Sequence, residues 1–129
     1  MISPSEIKVG IVAEQGLDIW SALTCLKQSG CADENVVVKY VPSFQLALGA
    51  LFFAEYTDVD AVIILLEPDN SPEYRALLDG LMKLQIAWNM PITIGDCTAA
   101  SEAIEMVAMQ NEMEAAAPEH LASENKQVN

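Results

Sequence analysis

The chain has 129 residues, 52% of them apolar and 19% charged, which fits one globular domain that leans apolar for its size. Nineteen carboxylates against six lysines and arginines give a formal charge of −13. That balance excludes nucleic acid and anionic lipid as partners, since both are held through basic patches. The apolar surplus must go into a core, a membrane or a subunit contact, and no membrane span is expected: the longest apolar runs, such as 47–54, fall short of the roughly 20 residues a spanning helix needs.

Residues 7–13 (IKVGIVA) read as a strand and 17–29 as a helix, in which Ile19, Trp20, Leu23 and Leu26 recur near helical spacing and Gly30 supplies the stop. Residues 36–41 (VVVKYV) are a second, β-branched strand, and 43–56 a second helix. The near-continuous apolar run over 59–66 suits a third strand, parallel and buried on both faces. Ser71 as N-cap and Pro72 at the first position open a third helix over 71–89. Its stripe is Tyr74, Leu77, Leu78, Leu81, Leu84 and Trp88. A short strand at 91–95 leads to the last helix, 98–117. There Ala100, Ala103, Ile104 and Val107 face inward and Glu102, Glu105, Glu112 and Glu114 outward, and Pro118 ends it. The domain is thus expected over 1–118, with 119–129 a polar, loose tail. The first six residues have neither the basic nor the apolar region of a signal peptide. Cys25, Cys31 and Cys97 show no metal spacing and no even disulfide framework, so a reducing cytoplasm is the expected compartment.

Strand and helix alternate four times, which predicts an α/β sandwich with a four-stranded parallel sheet. Ligands of such sheets bind beyond the carboxyl ends of the strands, here the loops 13–17, 41–44, 66–71 and 95–98. The second helix is apolar nearly all round. Leu46, Leu48, Leu51, Phe52 and Phe53 cannot all face one sheet, and a helix apolar on every side is covered on every side. We expect Leu48, Leu51, Phe52 and Phe53 to form a homo-oligomer interface. The alternative is a helix covered by the chain's own C-terminal helix.

With these elements in order, the sequence resembles the lumazine synthases, which form 6,7-dimethyl-8-ribityllumazine in riboflavin synthesis. The resemblance runs from Lys8 to Met109. It is carried by "VGIVA", "ENVVVKYVPSFQLALGA" and "DVDAVIILL", by a third helix containing Gly80 that leads to "NMPITIG", and by "SEAIEM". It implies a flavodoxin-like three-layer sandwich and pentamers, sometimes packed into shells, with active sites between neighbouring subunits.

The family's functional residues transfer poorly. Its loop after the third strand holds the substrate phosphate and supplies a histidine; here the loop is shorter and that position falls at Asp69. An ionised aspartate only accepts hydrogen bonds and cannot replace an imidazole that both donates and accepts. The family's last helix offers an arginine and, one turn on, a lysine; here Met106 and Gln110 stand there. In place of an aromatic, the first loop reads Glu14-Gln15-Gly16. Phe44 is kept in the second loop, but the family's glutamate is Gln45. The loops and helix starts at this end of the sheet hold Glu14, Asp18, Glu67, Asp69, Glu73 and Asp96, and no lysine, arginine or histidine. A substrate phosphate carries about two negative charges and needs cationic or backbone donors, so a phosphate site is not expected. No catalytic residue is assigned. A retained ligand pocket would use Glu14, Gln15, Ser43, Phe44, Gln45, Glu67 and Asp69.

Other chemistry finds less support. Cys97 follows a strand and starts a helix, where thiols become reactive, but the only histidine is His120 in the tail, so it reads as a small buried residue. Glu67, Asp69 and Asp96 would bind a hard cation only if their loops converged; otherwise they are solvated carboxylates at helix starts, and no metal or cofactor is assigned. Trp20 and Trp88 fit core or interface, and no GxGxxG is present. The leading expectation is an oligomer-forming subunit that has lost synthase chemistry, with a structural or small-ligand role. A divergent active synthase and a monomeric flavodoxin-like signalling module are the alternatives.

Overall fold

The computed structural model describes residues 2–67 and 70–117. Strand β1 (Val9–Glu14) lies between β2 (Val36–Val41) and β3 (Ala61–Leu65), and β4 (Ile92–Ile94) adds outside β3. All three pairings are parallel, in the order β2-β1-β3-β4. The four helices are α1 (Trp20–Gln28), α2 (Leu46–Tyr56), α3 (Pro72–Trp88) and α4 (Cys97–Ala116).

Alternate residues of the central strands feed two separate cores. Val9, Ile11, Ala13, Ala61, Ile63 and Leu65 pack with α1 and α4. Val12, Val62, Ile64 and Leu66 pack with α2 and α3. The result is the expected flavodoxin-like α/β/α sandwich, and β1 and β3 are buried on both faces. On the second face, two glycines bring α2 close to β1. A Cβ on Gly10 would sit 2.7 Å from a ring carbon of Phe53, and one on Gly49 would sit 2.8 Å from a Val12 methyl.

Local signals set the helix ends. The Ser71 hydroxyl accepts from the Tyr74 N–H at 3.1 Å and caps α3, with Pro72 in the first turn. Past α1, Gly30 takes φ +95, and its N–H and that of Cys31 return to the carbonyls of Lys27 and Leu26, closing a Schellman turn. Asn89 plays the same part after α3 with φ 49. The inner stripe expected for α4 is buried, joined by Ala99.

Several expectations need correction. α1 begins at Trp20, not at 17, because Gly16 turns with φ +88 and the Asp18 carboxylate accepts from the Trp20 N–H at 2.9 Å. Trp20 therefore starts the helix on its outer side, 73% exposed, and is not core. A 3-10 turn over Ser43–Gln45 precedes α2. Phe53, expected at the subunit interface, belongs to the chain's own core. It continues the inner stripe of Leu46, Gly49 and Ala50, and the missing Cβ of Gly10 makes room for its ring. Cys25 and Cys97, read as unpaired, are joined in a disulfide with Cα atoms 5.4 Å apart; spacing in sequence did not reveal that α1 and α4 are neighbours on one face. Cys31 is a buried free thiol, and burial pushes its pKa up. Pro118 and the expected tail lie outside the described residues. No helix among the described residues is long and apolar enough to cross a membrane.

Candidate functional site

The parallel sheet directs the ends of β1 and β3 toward the starts of α2 and α3, and a cleft of about 820 Å³ opens there. Side-chain alternation decides its floor. Glu14 lies on the same side of β1 as Gly10 and Val12, and Leu66 continues the stripe of Val62 and Ile64. Both therefore meet the second face of the sandwich. The 3-10 turn before α2 contributes Phe44, 79% exposed, and the first turn of the helix contributes Ala47. From the other side come Glu67, Ser71, Glu73, Tyr74, Ala76 and Leu77.

The cleft thus joins an apolar wall (Phe44, Ala47, Leu66, Leu77 and the ring of Tyr74) to three carboxylates, Glu14, Glu67 and Glu73. Among the described lining residues there is no lysine, arginine or histidine. Arg75, the fourth residue of α3, is exposed and is not part of the lining. Its backbone is committed to the helix, with the N–H donating to the Ser71 carbonyl at 3.2 Å.

Of the candidate pocket residues, Glu14, Phe44 and Glu67 come together in this cleft. Gln15 and Gln45 do not line it; Gln15 is exposed, and its backbone N–H donates to the Val41 carbonyl at 3.0 Å. Asp69 lies outside the described residues, and for Ser43 only the backbone is described. Sequence reasoning missed Tyr74, Leu77 and Leu66 as lining residues. All three were read as plain core positions, which a groove at the end of a core also uses. Glu73 was visible as an acid in a helix start, and the capping signal at Ser71 placed it there.

The positions matching the family's phosphate-binding cations have other uses. Met106 is 44% exposed on α4. The Gln110 side chain donates through Nε2 to the Asn89 carbonyl at 2.8 Å, tying α4 to the end of α3. It lines a second, smaller cleft of about 220 Å³ with Ala54, Val59, Asp60, Trp88, Asn89 and Met90. No group of three possible metal ligands converges among the described residues, and the set weighed from the sequence, Glu67, Asp69 and Asp96, includes one that is not described.

No protein-family model matches the chain. Individual relatives do. The chain is 34% identical over 104 residues to the 6,7-dimethyl-8-ribityllumazine synthase of Parabacteroides distasonis, covering 70% of this chain and 65% of that one. It is 30% identical over 102 residues to the enzyme of the same name from Bacteroides fragilis, covering 69% of this chain and 71% of that one. The match thus spans just under two thirds of the first relative's length and somewhat more of the second's. With a parallel α/β/α sandwich and this likeness along most of its length, the chain belongs to the lumazine synthase family.

Proposed function

We propose that this chain is a homo-oligomeric lumazine-synthase-like subunit, pentameric or a multiple of five, that no longer carries synthase chemistry and serves an assembly or small-ligand role. One observation carries the loss of chemistry: the cleft at the strand ends is lined by Glu14, Glu67 and Glu73, with no cation among the described lining residues. A phosphorylated substrate brings about two negative charges, and three carboxylates around it raise the cost of binding instead of offsetting it. The helix starts could donate backbone N–H groups, but the Tyr74 N–H is already used by Ser71. Oligomerisation is supported by the outer side of α2, where Leu48 and Phe52 stand 42% and 49% exposed.

The second reading, a divergent active synthase, is favoured by the identity to two enzymes of that name. The two readings separate in one preparation. A native mass spectrum of the full chain gives the subunit count and the mass of any retained ligand, and the same sample is assayed for formation of 6,7-dimethyl-8-ribityllumazine. A well-folded oligomer without turnover is the expected result. Turnover establishes the active synthase, and a clean monomer removes the assembly role.

A further inference from the structure

We propose that Cys25 and Cys97 form a reversible redox clasp, in which Cys97 is the sulfur that exchanges with external thiols and disulfides. This goes beyond the assembly role and stands whether or not the chain turns over substrate.

The two cysteines differ in their surroundings. Cys97 is the first residue of α4, a helix of 20 residues, and is partly exposed. The positive end of a helix favours a thiolate at that place, and access from solvent decides which sulfur exchanges. Cys25 is 7% exposed and packs in the core between α1 and α4 with Ala22 and Leu26. It suits the resolving role. The remaining thiol, Cys31, is 5% exposed, and its Sγ faces the Ile7 carbonyl at 3.6 Å, outside the pair.

The chemistry balances with a low-molecular-weight disulfide as oxidant, such as oxidised glutathione. The Cys97 thiolate attacks one of its sulfurs; a mixed disulfide forms on Cys97 and one glutathione thiolate leaves. Cys25 loses its proton to solvent and attacks the Cys97 sulfur; the internal bridge forms and the second thiolate leaves. Two electrons pass from the cysteine pair to the oxidant. Reduction runs the same steps backward, with external thiolate entering at Cys97.

The α4 end of the clasp is also held by hydrogen bonds. Gly95 donates its N–H to the Ile64 carbonyl at 3.0 Å, the Thr93 hydroxyl donates to the Ala99 carbonyl at 2.7 Å, and the Asp96 carboxylate accepts from the Thr98 N–H at 3.3 Å. The sandwich therefore survives reduction, while the first turn of α4 loses a covalent tie across a sequence separation of 72.

The test equilibrates the native full chain in mixtures of reduced and oxidised glutathione, traps thiols by alkylation, and maps them by peptide mass spectrometry. The oxidised end should show a Cys25–Cys97 bridge with Cys31 as thiol, and the reduced end three thiols with the fold retained by circular dichroism. Hydrogen exchange over residues 95–100 should be severalfold faster in the reduced form. Cys25→Ser should trap glutathione on Cys97, and Cys97→Ser should trap little on Cys25. The proposal is overturned by an absent bridge, by a bridge that reduced glutathione cannot open in the native protein, by trapping on Cys25 or Cys31 instead, or by identical exchange in the two forms.

Discussion

The two faces of the sheet are built differently. On the first, α4 buries Ala99, Ala100, Ala103, Ile104 and Val107, and α1 buries Ala22, Cys25 and Leu26. Small residues let α4 settle close to β3 and β4, while α1 packs chiefly on α4, and the disulfide joins the two helices. On the second, α3 has 17 residues and buries only Leu81, while α2 leaves Phe44, at its preceding turn, and Leu48, Phe52 and Tyr56 on its outside. Met82 and Ile86 of α3 are exposed at 60% and 76%. The first face is not wholly polar outside, since Trp20 of α1 and Met106, Met109 and Met113 of α4 are exposed, but α4 buries five residues against the sheet where α3 buries one. The second face also carries the cleft. The contrast teaches that the second face leaves more of its apolar surface, and the cleft, in solvent, which is the surface the proposed assembly or ligand role would use.

The largest effect that would break this comparison is at Phe53. If α2 is anchored by its inner stripe, Phe53→Ala removes a ring 4% exposed and should lower unfolding stability by about 3–5 kcal/mol, read from urea denaturation. Gly10→Ala should also destabilise, because the new methyl meets the ring at 2.7 Å, and Phe53→Leu in the same chain should recover part of that loss. A cost below about 1 kcal/mol for Phe53→Ala would mean the second face is no better anchored than its outer side, and the division into inner and outer stripes of α2 would fail.

Phe52→Glu should do the reverse. Phe52 touches Tyr56 with ring centroids 6.0 Å apart, and it is already half in solvent, so the isolated subunit should unfold at nearly the same urea concentration. Assembly should be lost, since a charge carried into an apolar contact has no partner there. Native mass spectrometry reads this directly. An assembly state identical to that of the unchanged chain would place the interface elsewhere, and the exposed stripe of α2 would need another explanation.

The sequence was legible where a signal is local and illegible where distant segments meet, on both faces alike. The continuous apolar run of the third strand, the Ser71-Pro72 start of α3 and the small-residue stripe of α4 are local signals, and each placed its element correctly. Phe53 was misplaced because composition shows that α2 is apolar all round but not which side meets the sheet. Only its pairing with Gly10, a contact between distant segments, settles that. The Cys25–Cys97 bridge escaped for the same reason. The cleft was half legible: Glu14, Phe44 and Glu67 stood in the loops at the strand ends, whereas Tyr74 and Leu77 were hidden in a stripe that reads as ordinary core.

The smallest expected effect lies away from both faces, at the opposite end of the sheet. Lys8 precedes β1 and pairs with Asp58, which precedes β3. The hydrogen bond and charge of Lys8 hold the Asp58 carboxyl below its ordinary value of 3.8, and the same partner holds the lysine above 10.5. A lowered carboxylate pKa means that the unfolded chain takes up protons first as pH falls. The contribution of Asp58 is therefore complete above the ordinary carboxylate range and disappears as pH drops through the folded value. That of Lys8 is complete below the ordinary lysine range and fades above it. Both side chains are largely in water, at 47% and 78% exposure, so screening keeps the effect small. Asp58→Asn should shift the urea midpoint slightly near neutral pH and not at all in strong acid, with α1/α4 and α2/α3 equally unaffected. A difference that persisted in acid would not be one of charge. It would place the effect in the neighbouring backbone, where Asp60 accepts from the Lys8 N–H at 2.9 Å and returns its own N–H to the Lys8 carbonyl at 2.7 Å.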